Sequence, residues 1–110
     1  MATTIEYFAD EFTVIAPDTP GFGLSDYRKG TPSDITIYAQ MVKEFIDALG
    51  LSELCIYGFH TGAIIGAEMA RLYPDLCKAV VVNGLWVADK DEVDLILQHY
   101  TEWFEPTPEG

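Results

Sequence analysis

Basic residues are scarce in this chain. Six Lys and Arg stand against 18 Asp and Glu, giving a formal net charge of −12 over 110 residues. Nucleic-acid binding depends on cations that neutralise phosphates, so this balance argues against a nucleic-acid partner. It argues against an anionic membrane surface for the same reason. The acidic residues are spread along the chain rather than run together, which fits a solvated surface.

Cysteine is equally rare, with only Cys55 and Cys77. Both lie in apolar, strand-like surroundings. They are expected to be small buried thiols, without a disulfide framework. No apolar run approaches the roughly 20 residues that span a bilayer. The opening residues lack the basic-then-apolar pattern of a signal peptide. A cytoplasmic address is the resulting expectation. No Cys/His cluster has metal-site spacing. No phosphate-cradling glycine loop is complete, so neither a metal nor a cofactor is expected. There is no internal repeat.

What is present is enough apolar material for a core: 49% of residues are apolar and 22% charged. Residues 3–9 read as the tail of a helix. "FTVIAP" (12–17) is a short β-branched run that reads as a buried strand. "DTPGFGLSD" (18–26) is loop chemistry. Ser33 or Asp34 can cap a helix that carries Tyr38, Met41, Val42, Phe45, Ile46 and Leu49 on one face and stops at Gly50. "LCIYG" (54–58) is a second strand, 61–73 a helix ended by Pro74, and "AVVVNG" (79–84) a third strand. Residues 89–104 form a last helix, with Trp103 and Phe104 among its apolar members. "EPTPEG" at the end is expected to be loose. Gly62, Gly66 and Ala70 recur every four positions, a thin face that lets a helix lie close on a sheet. Alternation of strand and helix predicts an α/β fold, three-layer α/β/α with a mostly parallel sheet covered on both faces.

"YGFHTGA" (57–63) places His60 between Gly58 and Gly62 at a sharp strand-to-helix turn. Side chains two positions either side of such a turn would collide, which is why glycine is expected at both. The pattern resembles the G-x-S-x-G nucleophile elbow, with His where Ser usually stands. "FTVIAPDTPGFGLSD", "YAQMVKEFIDALGL" and "ELCIYGFHTGAIIGAEMARLYPDLCKAVVVNG" resemble, in order, the fourth strand and loop, the next helix, and the elbow region of α/β-hydrolase-fold proteins.

The resemblance implies a nucleophile position at His60 and an oxyanion donor in the backbone N–H of Thr61. It also implies an acid on a later strand, a terminal histidine and a third-strand loop, to none of which a residue of this chain corresponds. The chain therefore reads as a single partial core segment over 1–110, with sheet core at 1–88 and the start of a lid at 89–110. The unmatched third strand would lie between the strands at 12–17 and 54–58. Those two strands are expected to pair directly, or else the chain is expected to self-associate through open sheet edges.

Each candidate side chain has a plainer alternative. His60 either takes part in chemistry or fills the place of a lost serine, since no partner base is visible. Thr61 reads as a helix-start residue rather than a nucleophile. Ser25 reads as turn chemistry, and Asp18 as an acceptor for backbone N–H groups of the 20–23 loop. Asn83 and Asp89 follow the third strand, where some relatives carry an acid; Asp89 reads better as a helix cap. His99 reads as a helix-surface histidine. The expected function is hydrolysis of a small ester-type or related substrate by the intact protein. Trp86 and Trp103 hint that this substrate is apolar. The alternatives are a non-catalytic small-molecule binding or structural member, and an inactive fragment.

Overall fold

The computed structural model describes residues 2–26, 29, 30 and 34–102. Six elements follow in order: α1 (Ala2–Ala9), α2 (Ile35–Ala48), β1 (Leu54–Phe59), α3 (Thr61–Leu72), β2 (Cys77–Asn83) and α4 (Lys90–Glu102). The strands β1 and β2 pair in parallel, with Ile56 opposite Val80 and Phe59 opposite Asn83. This is an α/β arrangement built on a parallel sheet, as the alternation of elements predicts.

The ends of α2 follow from local chemistry. Asp34 is the N-cap, and its Oδ1 accepts the Thr36 N–H at 2.7 Å. Such caps contribute about 1 kcal/mol. Ser33, the other candidate cap, lies outside the described residues. At the far end Gly50 has φ +69, the Gly50 N–H donates to Asp47 O, and the Leu51 N–H donates to Ile46 O. That pair of bonds is a Schellman motif, and glycine supplies its left-handed residue.

The core lies between α2, α3 and one face of the sheet. Ala39, Ile46, Ile65, Met69 and Leu76 are buried, with Ile35, Tyr38, Val42, Leu54, Ile56 and Cys77 packed around them. The inward face of α2 is therefore 35, 38, 39, 42 and 46. Phe45 and Leu49, expected on that face, are 37% and 48% exposed. The small Ala39 sets the true phase of the helix, because it marks where α3 comes close. Gly66 does the same for α3 against the sheet: a Cβ there would sit 3.2 Å from Ile56 Cγ2 and 3.5 Å from Val80 Cγ1.

Three expectations change. Residues 13–19 form no strand, and the only ladder partner of β1 among the described residues is β2. The expected pairing of 12–17 with β1 is absent. Strand backbone is retained only where a neighbour satisfies its polar groups, and here Phe12 and Ile15 are also 53% and 46% exposed, so little burial holds the segment. Second, the face of the sheet away from α3 carries Tyr57, Phe59, Val81 and Asn83. On that face Phe8, from α1, meets Tyr57 with ring centroids 6.2 Å apart. Among the described residues the third layer is reduced to that contact. Third, Cys55 is exposed on that open face rather than buried. Cys77 is half-buried, and desolvation raises its thiol pKa.

The helix α4 begins with a capping box: the Glu92 N–H donates to Asp89 Oδ1 at 2.9 Å, and the Asp89 N–H donates to Glu92 Oε2 at 3.1 Å. Among the described residues it packs on none of the other elements. Trp103, Phe104 and the "EPTPEG" end lie outside the described residues. No helix among the described residues is long and apolar enough to cross a membrane.

A polar clamp joins α2 to α3. Arg71 donates from Nε to Glu68 Oε2 at 2.7 Å and from Nη2 to Oε1 at 2.6 Å, and Thr36 Oγ1 donates to the same Oε1 at 2.8 Å. The forked guanidinium and the hydroxyl favour the ionised carboxylate, and they lower the Glu68 pKa from 4.5 to about 2. A depressed folded-state pKa adds stability that is complete above the unfolded value and is lost as pH falls through the folded one. Unfolding midpoints of the wild type should therefore fall between pH 4.5 and about 2 more steeply than those of Glu68→Gln. Equal slopes in the two proteins would rule the clamp out as a contributor.

Candidate functional site

Between β1 and α3 the chain reverses direction within one residue. His60 has φ 50 and ψ −114, and it is the one non-glycine residue with positive φ among the described residues. A side chain in this region costs on the order of 1–3 kcal/mol and persists only where its surroundings enforce it. Two backbone anchors enforce it here. The His60 N–H donates to Asn83 O of β2 at 2.9 Å, extending the strand ladder to the corner. The His60 carbonyl accepts the N–H groups of Ala63 and Ile64 at 2.9 and 3.3 Å, starting the helix.

Gly58 makes the corner tight. A Cβ at 58 would overlap the Gly62 carbonyl oxygen and lie 2.7 Å from Ala63 Cα. Gly62 itself is not sterically required, since a Cβ there would meet nothing within 4 Å. The expectation that both glycines avoid collisions holds only for Gly58. Gly62 contributes the backbone against which Gly58 rests.

The imidazole of His60 is exposed and caps no helix N–H. Phe59 meets it edge-on, with centroids 4.2 Å apart and planes at 78°. Gly84, just past β2 with φ +71, lies against the face of the ring, where a Cβ would be 3.6 Å from Cδ2 and Nε2 and 3.8 Å from Cε1. Thr61 opens α3, so its N–H belongs to the first turn, where no preceding helical carbonyl is available. That N–H sits one residue past the imidazole at the positive end of the helix dipole. The site thus combines an exposed ring nitrogen with a backbone donor.

The other candidates are occupied elsewhere. Asp18 Oδ2 accepts the Leu24 N–H at 2.9 Å, and the Ser25 hydroxyl donates to Asp18 O at 2.8 Å, which fixes the 18–26 loop as its composition predicts. Gly23 is needed there, because a Cβ would overlap the Asp18 carboxylate. Asn83 donates from Nδ2 to the Tyr57 hydroxyl at 3.0 Å. Asp89 caps α4. His99 is an exposed helix-surface histidine whose Nδ1 lies 2.8 Å from Leu95 O. Trp86 is 57% exposed. No group of three or more His, Cys, Asp or Glu among the described residues is placed to hold a metal ion. The contributions of Phe59 and Gly84 are not legible in the sequence. Phe59 is the residue before His60 and only the ring geometry of that contact comes from the structure, whereas Gly84 meets the imidazole across the end of the sheet.

Comparison with known proteins bears on this corner. The family described as alpha/beta hydrolase fold matches residues 2–108. Haloalkane dehalogenase 2 of Mycobacterium tuberculosis is 35% identical over 77 residues, covering 70% of this chain and 27% of that protein. An uncharacterized hydrolase of Saccharomyces cerevisiae is 26% identical over 80 residues, covering 73% of this chain and 28% of that protein. The chain thus spans little more than a quarter of the length of these relatives.

The two glycines of the corner should respond oppositely to alanine. Gly58→Ala must displace backbone and should lose about 1–3 kcal/mol in denaturant unfolding. Gly62→Ala adds a methyl group to open space within a helix and should be neutral or gain up to about 1 kcal/mol. A harmless Gly58→Ala would mean that the corner is looser than the structure describes.

Proposed function

Because the chain belongs to the alpha/beta hydrolase fold family, we propose that it carries the elbow of a hydrolytic site, with His60 at the nucleophile position. The strained backbone of His60 is the observation that carries this reading. Strain of this kind concentrates where a side chain must be presented to a ligand. The intact protein would hydrolyse a small, apolar ester-type or related substrate. The exposed Phe59, Leu85 and Trp86 near the corner favour an apolar one.

The chemistry assigned to each group is simple. The imidazole offers a nitrogen lone pair, either to attack a carbonyl carbon or to take a proton from water. The Thr61 N–H would donate to the oxygen on which negative charge develops. One such donor is worth on the order of 100-fold or more in rate. A second oxyanion donor, an orienting acid and a further base would come from parts of the fold that these 110 residues do not match.

A second reading is favoured by a specific observation: Asp18, Asp89 and His99 are bound in a turn, a cap and a helix contact. An imidazole with no partner base among the described residues suits a non-catalytic site that binds a small molecule. Self-association belongs to either reading, since among the described residues β1 has one ladder partner and the apolar Phe59 and Val81 remain 48% and 55% exposed.

Turnover of p-nitrophenyl butyrate separates the readings. Hydrolysis abolished in His60→Ala, with unchanged circular dichroism, is expected of the catalytic reading, and His60→Ser tests whether the position accepts the usual nucleophile. Ester binding without turnover in the wild type would favour the binding site. Sedimentation velocity over a range of concentrations tests self-association: the expected result is a coefficient that rises with concentration, and a constant monomer value would refute it.

A further inference from the structure

Asn83 closes β2 and meets β1 with two groups. Its carbonyl oxygen accepts the His60 N–H at 2.9 Å, the last rung of the parallel ladder. Its Nδ2 donates to the Tyr57 hydroxyl at 3.0 Å. In the register Phe59 lies opposite Asn83, and Tyr57 lies opposite Val81. The side-chain bond therefore crosses from β2 to β1 and runs back along the sheet. Successive side chains of a strand point to opposite faces, so Tyr57 and Asn83 share the face turned away from α3. One residue thus grips β1 ahead of the corner and also holds the corner itself.

The corner needs such a hold. His60 has φ 50, in a region that costs a side chain on the order of 1–3 kcal/mol. The ends of ordered elements fray first, because few contacts lie beyond them. The rung that restrains the strained residue is therefore the rung most open to fraying. Among the described residues β1 has a ladder partner on one edge only, so no second strand restrains the corner. Past Asn83 the chain turns at Gly84, with φ +71, and lies against the face of the His60 ring. Movement of the end of β2 would disturb both the rung and the backbone beside the imidazole. The Tyr57 ring is in turn met from α1 by Phe8, with centroids 6.2 Å apart and planes at 49°.

We propose that Tyr57 and Asn83 form a brace for His60: their hydrogen bond pins the end of β2 to β1, keeps the rung between the Asn83 carbonyl and the His60 N–H closed, and so fixes where the imidazole stands. Both are positioning residues, because they act through the backbone of His60. Its bearing on hydrolysis rests on the reading of His60 at the nucleophile position. A single exposed hydrogen bond between neutral side chains is modest in strength. Its effect is therefore local, on the opening of the last rung rather than on the unfolding of the whole chain.

Amide hydrogen exchange followed by NMR reads that rung directly and needs no turnover. Tyr57→Phe removes the hydroxyl and keeps the ring. The His60 N–H should then exchange about fivefold faster, the scale of one side-chain hydrogen bond, while the N–H of the buried Met69 keeps its rate. Asn83→Ala should have the same effect. The double variant should be no faster than either single one, because the two residues act as a unit. Asn83→Asp should restore slow exchange, since a carboxylate accepts the Tyr57 O–H. In turnover of p-nitrophenyl butyrate, Tyr57→Phe should lower kcat and leave KM unchanged.

An unchanged His60 exchange rate in Tyr57→Phe would overturn the brace. So would equal acceleration at His60 and Met69, which marks a loss of overall stability, or an Asn83→Asp protein that exchanges as fast as Asn83→Ala. Faster exchange at His60 alone, in a protein whose wild type has no esterase activity, would keep the brace and remove the hydrolytic reading instead.

Discussion

At residue 58 there is no room for a side chain. The backbone of Gly58 rests against the carbonyl of Gly62, and this close approach lets β1 turn into α3 within one residue. The rest follows from that contact. It forces the positive φ of His60, which directs the imidazole to the exterior at the carboxyl end of the sheet. It also brings α3 down onto the sheet, where Gly66 lies within van der Waals reach of Ile56 and Val80 and the core closes around Met69. A methyl group at 58 would push the helix away and relax the corner together.

The strain at His60 is sustained by bonds on both sides. Its N–H is the last rung of the ladder to β2, and its carbonyl is the first acceptor of α3. Neither element could relax the corner without giving up a backbone hydrogen bond, and a buried or half-buried one is costly to leave unmade. The Glu68 clamp acts at a distance on the same architecture. It ties the first turn of α2 to the middle of α3 and thereby steadies the helix whose N-terminus presents Thr61. The demands of the corner and of the core meet in α3, which is small at Gly66 against the sheet and meets α2 through the buried Ile65 and Met69 as well as through Glu68.

The open parts of the molecule share one cause. Among the described residues β1 has a ladder partner on one edge only, and the sheet face bearing Tyr57, Phe59 and Val81 has little helical cover. Residues 12–17 have the composition of a strand and the α/β-hydrolase order around them, yet they do not form one. Their apolar side chains are suited to burial, but burial needs a surface to bury against. The mycobacterial and yeast relatives are more than three times as long as the stretch they share with this chain.

Local signals are therefore enough for much of this protein. Asp34 and Gly50 mark the ends of α2, Asp89 caps α4, Asp18 and Gly23 shape the loop, and "YGFHTGA" marks the corner, because each works through atoms a few residues away in the chain. Tertiary structure alone decided the rest: that 12–17 stays unpaired, that Cys55 is exposed, that Gly58 and not Gly62 is sterically required, that Thr36 reaches Glu68 across 32 residues, and that Gly84 flanks the imidazole. These depend on which surfaces meet. Side-chain periodicity states that a surface wants a partner, while only the packed chain determines whether one arrives.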